Sequence, residues 1–205
     1  MSFRKFGMNS DEERDVIQAT QYWLDKAVIG LNLCPFAKAV VAKQQVRMVV
    51  CMDSEPEQVL QMLQQEMQLL VDTDAAVIDT TLLIAPHLLP DFLDFNEFLF
   101  DCDSVLASME LEGVLQIADF HPRYQFAGTQ PDDISNFTNR APYPTLHLLR
   151  EESIDKAVAA FPDASLIYER NVEVLEGKQN FRGSQVSNQR KPELISFFYG
   201  SNRIS

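Results

Sequence analysis

TTLLIAPHLLPDFLDFNEFLFDCDSVLASMELEGVLQIADF, residues 80–120, reads as strand, helix and strand. Residues 80–86, TTLLIAP, form the strand that opens it. Pro90 and Asp91 then introduce a helix to about Met109, in which Phe92, Phe95, Leu99, Cys102 and Leu106 recur every three or four residues, the spacing that amphipathic burial requires. Gly113 ends that helix, and residues 114–120, VLQIADF, return to strand.

Working upstream, residues 45–52, QVRMVVCM, are β-branched and mostly apolar and read as a strand. Ser54 and Glu57 stand at capping-box spacing before a helix over 55–71 whose apolar face is Val59, Leu60, Leu63, Met67 and Leu70. Ser10 and Glu13 repeat the box before Val16, Thr20, Trp23, Ala27 and Val28, a helix over 11–30 with Trp23 in the core. Gly30 and Asn32 interrupt, and Cys34-Pro35 opens a shorter helix to Lys43. Proline favours the first helical position and pushes the residue before it out of helical geometry, which places Cys34 at the cap. Downstream, residues 145–150, TLHLLR, are a fourth strand, Ser153 caps a helix to Phe161, and Pro162-Asp163 starts another to Gly177.

Strands that alternate with helices give parallel neighbours through right-handed crossovers, and the last two strands pair antiparallel. The expected fold is therefore α/β, a mixed sheet of about four strands in the order β-α-β-α-β-β-α behind two leading helices, thioredoxin-like in topology or, second, ferredoxin-like. It occupies residues 1–177 as a single domain. Residues 178–205, rich in Gln, Asn, Ser and Arg, read as a mobile tail whose ISFFY patch docks on the body or on a neighbour.

The chain has 205 residues, with 17 Lys/Arg against 30 Asp/Glu for a formal charge of −13. Residues 48–122 hold fifteen Asp/Glu and no Lys or Arg, which argues against nucleic acid or an anionic membrane surface as partner. No apolar run is long enough to span a bilayer and the first residues lack a secretory pattern, so the expected location is the cytoplasm. Cys34, Cys51 and Cys102 are an odd count without a CxxC pair, which favours reduced thiols over disulfides or a zinc knuckle. The same missing CxxC leaves the thioredoxin likeness one of topology alone. Neither GxGxxG nor a P-loop motif is present.

If residues 80–86 and 114–120 are parallel, their carboxyl ends share an edge, where open α/β sheets bind ligands. His87 and His121 fall just past those ends, and Asp53 follows the first strand in the same way. Tyr143 lies near the rim, and His147 a short way in, packed in the sheet. Residues 121–144, HPRYQFAGTQPDDISNFTNRAPYP, form a connection long enough to be functional, and its four prolines and four aromatics favour an ordered loop. Arg123 or Arg140 suits the clamping of a small anionic ligand, with Asn139 and Tyr143 beside it, while Arg140 pairing with Asp132 or Asp133 is the structural alternative. Cys34, at a helix start, is expected to have a lowered thiol pKa. With His121 it has the parts of a Cys–His dyad, Asp119 or a loop Asn orienting the imidazole.

The segments LNLCPFAKAV, ADFHPRYQFAG, PDDISNFTNRAPYPTLHLLREES and ERNVEVLEG resemble a bacterial family known as domain of unknown function 1415, over most of residues 15–177. The resemblance implies a bacterial, cytosolic, single-domain protein and carries no activity, cofactor or catalytic residue with it. Three functions compete. The first is a small-molecule enzyme with Cys34 and His121 acting on an anionic substrate. The second is a non-catalytic binding or self-association module forming a homo-oligomer. The third is a metal site of His87, His121 and Asp53 or Asp119, a donor set that suits zinc, iron or manganese but lacks HxH or HxxxH spacing.

Overall fold

A computed structural model describes residues 10–160 and 166–180. Its elements, in chain order, are α1 (Ser10–Trp23), α2 (Ala37–Ala42), β1 (Val46–Val50), α3 (Pro56–Asp72), β2 (Thr80–Ile84), α4 (Phe92–Ser108), β3 (Leu115–Phe120), β4 (Thr145–Arg150), α5 (Glu151–Ala160) and α6 (Ile167–Asn180). A π-helical turn, Leu24–Ile29, continues α1, and a 3₁₀ helix, Ile134–Asn139, lies in the long loop. The mixed α/β sheet of four strands is as expected. The expected tail begins at 178, yet α6 runs on to Asn180, and residues 181–205 lie outside those described.

The strand order is β1-β2-β4-β3. β1 and β2 are parallel, joined through α3, and β4 is inserted antiparallel between β2 and β3. β1, β2 and β3 consequently end at one edge of the sheet, where β4 begins. Alternation along each strand then assigns side chains to two faces. Leu83, Leu146, Leu148, Leu115 and Ile117 meet Val59, Leu63, Met67 and Leu70 of α3 and Phe95, Phe98 and Cys102 of α4. Full burial of each such side chain contributes about 1.5–3 kcal/mol. The opposite face carries Val50, Leu82 and Ile84 against Val16 of α1, with Thr80, His147 and Phe120 beside them toward α2 and α5. Among the described residues no helix is long and apolar enough to cross a membrane.

Local chemistry sets the helix boundaries. Asp91 caps α4 by accepting from the Leu93 N–H at 2.8 Å. The Ser54–Glu57 capping box does not form: Glu55 occupies the cap position of α3 without a side-chain bond, and Pro56 begins the helix, where its missing N–H has no intrahelical role. At its other end the Leu70 carbonyl of the last turn accepts from the Arg150 guanidinium, which also donates to the carbonyls of Thr73 and Ile78 beyond the helix. Arg47 of β1 makes a two-pronged pair with Glu66 of α3 at 2.6 and 2.9 Å, which joins the edge strand to its covering helix. Gly30 ends the π turn for a steric reason, since a Cβ there would stand 2.3 Å from the Lys26 carbonyl oxygen.

Candidate functional site

An apolar cavity of about 380 Å³ lies between the sheet and the helices α1, α2 and α5. Its walls include Trp23, Leu24 and Val28 from α1 and the π turn, Val40 and Val41 from α2, and Ile154 and Ala157 from α5. Leu82, Phe120, His147 and Leu149 form the sheet side, and Cys34 reaches it from the turn before α2. Pockets of about 300–1,000 Å³ with apolar walls and a few convergent polar groups are what small-molecule sites require.

His147 is the central polar group. It stands on the middle strand β4, opposite Leu82 of β2 and Ala118 of β3, and its Nε2 lies 2.7 Å from Thr80 Oγ1. That hydroxyl has one proton, which it donates to the Leu148 carbonyl at 2.6 Å, so it accepts from His147 Nε2–H. The tautomer is fixed by the network, and the lone pair resides on Nδ1. Burial pushes the imidazole pKa down to about 4, keeping it neutral at pH 7. Trp23, 2% exposed, has a buried indole N–H without a partner among the described residues. Its ring meets Phe120 edge-on at 5.1 Å, and Phe120 stands 6.1 Å from the His147 ring.

Cys34 is half-buried. The helix after it begins at Ala37 with Phe36 as cap, two residues later than the position of Pro35 predicts. The backbone N–H groups of Phe36 and Ala37 favour the thiolate, but burial outweighs them and the thiol pKa is raised, correcting the expected lowering. Cys51 and Cys102 are buried in the apolar layers as their patterns predict, and burial raises both, Cys102 to about 12.

The structure does not bring Cys34 and His121 together. His121 continues the Leu115–Ile117–Asp119 side of β3, on the α4 face, opposite the cavity. It is 1% exposed, its ring 5.0 Å from Phe95 and 5.6 Å from Phe92. Nδ1 accepts from the Arg123 backbone N–H at 3.0 Å, so Nε2 carries the proton and donates to the Leu89 carbonyl at 3.2 Å. Burial holds its pKa at about 4, and with both nitrogens engaged it has no lone pair left for a thiol proton. Neither bond involves Asp119, whose carboxyl is pushed up to about 6 by burial and whose Oδ2 has no partner among the described residues.

The loop residues hold one another. Asn136, fully buried, accepts at Oδ1 from Phe126 N–H and Thr129 Oγ1 and donates to the Gln130 carbonyl. Arg140 donates to the carbonyls of Tyr124 and Pro131, with its guanidinium 4.5 Å from the Phe137 ring centre. Asn139 accepts from His121 N–H through its own carbonyl and donates its amide to the Asp119 carbonyl. Tyr143 packs beside Val50 and Ile84. Arg123 and Arg140 line an open cleft of about 400 Å³ with Asp91 and Gln125, separate from the cavity at Cys34. His87 is exposed, 3.2 Å from Glu12, and Asp53 accepts from the Glu55 N–H. Among the described residues no three His, Cys, Asp or Glu side chains gather as a metal site.

A family model described as "Protein of unknown function (DUF1415)" matches residues 15–183. The chain belongs to that family. The match spans every wall of the cavity from Trp23 to Ala157, and the loop that holds His121. No curated protein and no solved structure matches the chain.

The sequence reading assigned His147 to sheet packing, and so missed the imidazole that shares the cavity with Cys34. The signal was present in TLHLLR, where His147 alternates with Leu146 and Leu148 and therefore points away from the α3–α4 layer. What lay on that other side depended on the strand order.

Proposed function

We propose that the protein binds a small, mainly apolar organic molecule carrying a hydroxyl group, in the cavity between β4 and the helices α1, α2 and α5. The observation that carries this reading is the apolar chamber of about 380 Å³ whose lining residues include an imidazole that makes its hydrogen bond through Nε2 and a buried indole N–H without a partner among the described residues. A hydroxyl satisfies both needs, because its proton suits His147 Nδ1 and its oxygen accepts from Trp23 Nε1. A neutral ligand is favoured over an anion. The cation among the lining residues, Arg150, already donates to three backbone carbonyls.

A second reading, a thiol enzyme, is favoured by the presence of Cys34 and His147 in one cavity. In it, His147 Nδ1 takes the Cys34 proton as the sulfur attacks an electrophilic substrate. Binding stands first, because both groups are neutral at rest and the raised thiol pKa disfavours a standing thiolate.

The test is titration with 1-naphthol and with naphthalene, followed through quenching of Trp23, the chain's single tryptophan. Saturable 1-naphthol binding is expected, weakened about fivefold or more by His147→Phe, the equivalent of one hydrogen bond of about 1 kcal/mol. Naphthalene binding should be insensitive to that change, and Ala157→Phe, which fills the chamber from α5, should abolish both. Absence of saturable binding, or undiminished binding in Ala157→Phe, overturns the reading.

A further inference from the structure

The open cleft of about 400 Å³ on the α4 side of the sheet is built from two stretches of chain. Phe92 and Leu93 come from the start of α4, and Pro122 and Pro131 from the loop after β3, so both stretches bring apolar side chains. Leu93 is 71% exposed, which leaves part of that lining open to water.

Opposite charges line the same cleft without pairing. Asp91, the cap of α4, accepts from the Leu93 N–H through Oδ1, and Arg123 is exposed on the loop. Neither enters a salt bridge among the described residues, although both are in one cleft. The remaining charged residue of the lining, Arg140, is committed to the loop: it donates to the carbonyls of Tyr124 and Pro131 and lies over the Phe137 ring. Arg123 and Asp91 are therefore the pair of charges that a ligand can use.

Their placement is fixed from beneath by His121. Its Nδ1 accepts from the Arg123 backbone N–H, and its Nε2 proton goes to the carbonyl of Leu89, two residues before Asp91. One buried imidazole thus joins the backbone that carries the cation to the backbone that carries the anion. Leu89 is held at φ 34°, on the positive side that a leucine rarely adopts. A site whose walls are tied before the ligand arrives loses less freedom on binding.

We propose that this cleft binds a small zwitterion with an apolar side chain, an amino acid or dipeptide. The carboxylate meets the planar fork of Arg123, the ammonium meets Asp91, and the side chain lies on Phe92 and Leu93. The charge of the whole chain favours this ligand over a simple anion, because a protein of formal charge −13 repels an anion but exerts no net pull or push on a neutral zwitterion. The site is independent of the cavity at His147, which lies on the other face of the sheet.

Calorimetric titration of the full-length protein tests it, using L-phenylalanine, glycyl-phenylalanine and the single-charge analogues 3-phenylpropionate and phenethylamine. The tighter of the two zwitterions should saturate a single site and bind at least about fivefold more tightly than either analogue, as the loss of one charged hydrogen bond requires. Arg123→Gln keeps the backbone N–H that His121 holds, and should weaken the zwitterion about fivefold without weakening phenethylamine. Asp91→Asn keeps an acceptor for the Leu93 N–H, so the helix cap survives, and should weaken the zwitterion without weakening 3-phenylpropionate. If 3-phenylpropionate binds as tightly as the zwitterions, or neither zwitterion shows saturable binding, the proposal is overturned. Ala157→Phe, which fills the other chamber, should leave zwitterion binding unchanged; its loss there would assign the ligand to the cavity and overturn the proposal too. Failure of 1-naphthol to bind removes the cavity reading alone.

Discussion

His121 and His147 lie on opposite faces of one sheet, are both held neutral by burial, and both have pKa values near 4. They differ in their hydrogen-bond accounts. His121 spends Nδ1 on the Arg123 N–H and Nε2–H on the Leu89 carbonyl, between the rings of Phe92 and Phe95. His147 spends only Nε2–H, on Thr80, and borders a chamber rather than packed rings. A perturbed pKa therefore does not by itself distinguish a working imidazole from a structural one. The distinction lies in the unspent lone pair and the space beside it.

The largest expected effect separates the two directly. His121→Ala removes a packed ring and strands two backbone groups, and should cost about 2–4 kcal/mol in urea unfolding at pH 7. His147→Ala should cost about 1 kcal/mol, since it loses one hydrogen bond beside existing space. Equal losses would break the comparison. The sign with pH is also set: a histidine whose folded pKa is depressed contributes stability above its ordinary value of about 6.5, and that contribution is lost as pH falls toward 4.

Asp119 sharpens the contrast, being a buried carboxyl on the His121 side with an unpartnered oxygen. Its raised pKa means that the folded state holds the proton more tightly than the unfolded chain. Stability from this group is therefore greatest below about pH 4 and is lost as pH rises through 6. Asp119→Asn should stabilise the protein by about 1–3 kcal/mol at pH 7.5 and have no effect below pH 4, in thermal melts run across that range. A destabilised variant at pH 7.5 would show that the carboxylate is needed charged.

The smallest effect concerns Cys34. Its raised pKa predicts iodoacetamide alkylation slower than that of a free thiol at pH 7, and accelerating as pH rises. Under the binding reading His147→Gln leaves the rate at pH 7 unchanged. A clear fall in that variant would favour the thiol enzyme, because only a base acting on the sulfur is sensitive to the exchange.

Much of the fold was legible because helix and strand periodicities are local. The 80–120 segment is one case: its phenylalanines at three- and four-residue spacing locate α4, and Asp91 caps it as its position before the helix suggests. The antiparallel pairing of β3 and β4 follows from their adjacency in the chain. The site was less legible. His121 attracted attention by standing at a strand end beside an unusual loop, yet the loop's side chains are largely spent on each other, as Asn136 and Arg140 illustrate. For Cys34, proximity to backbone N–H groups was readable from Pro35, whereas the desolvation that outweighs them comes from residues far away in sequence.

By itself the sequence determined the elements, the apolar stripe that each presents, the acidic middle third and the family membership, since all of these depend on residue type and short-range spacing. Tertiary structure alone decided that β4 enters between β2 and β3. That insertion sets His147 beside Thr80, on the side of the cavity that Cys34 also lines, and leaves His121 on the other face. The physical reason is that a strand's periodicity divides its residues between two faces but carries no information about which strand lies alongside, or which helices cover each face.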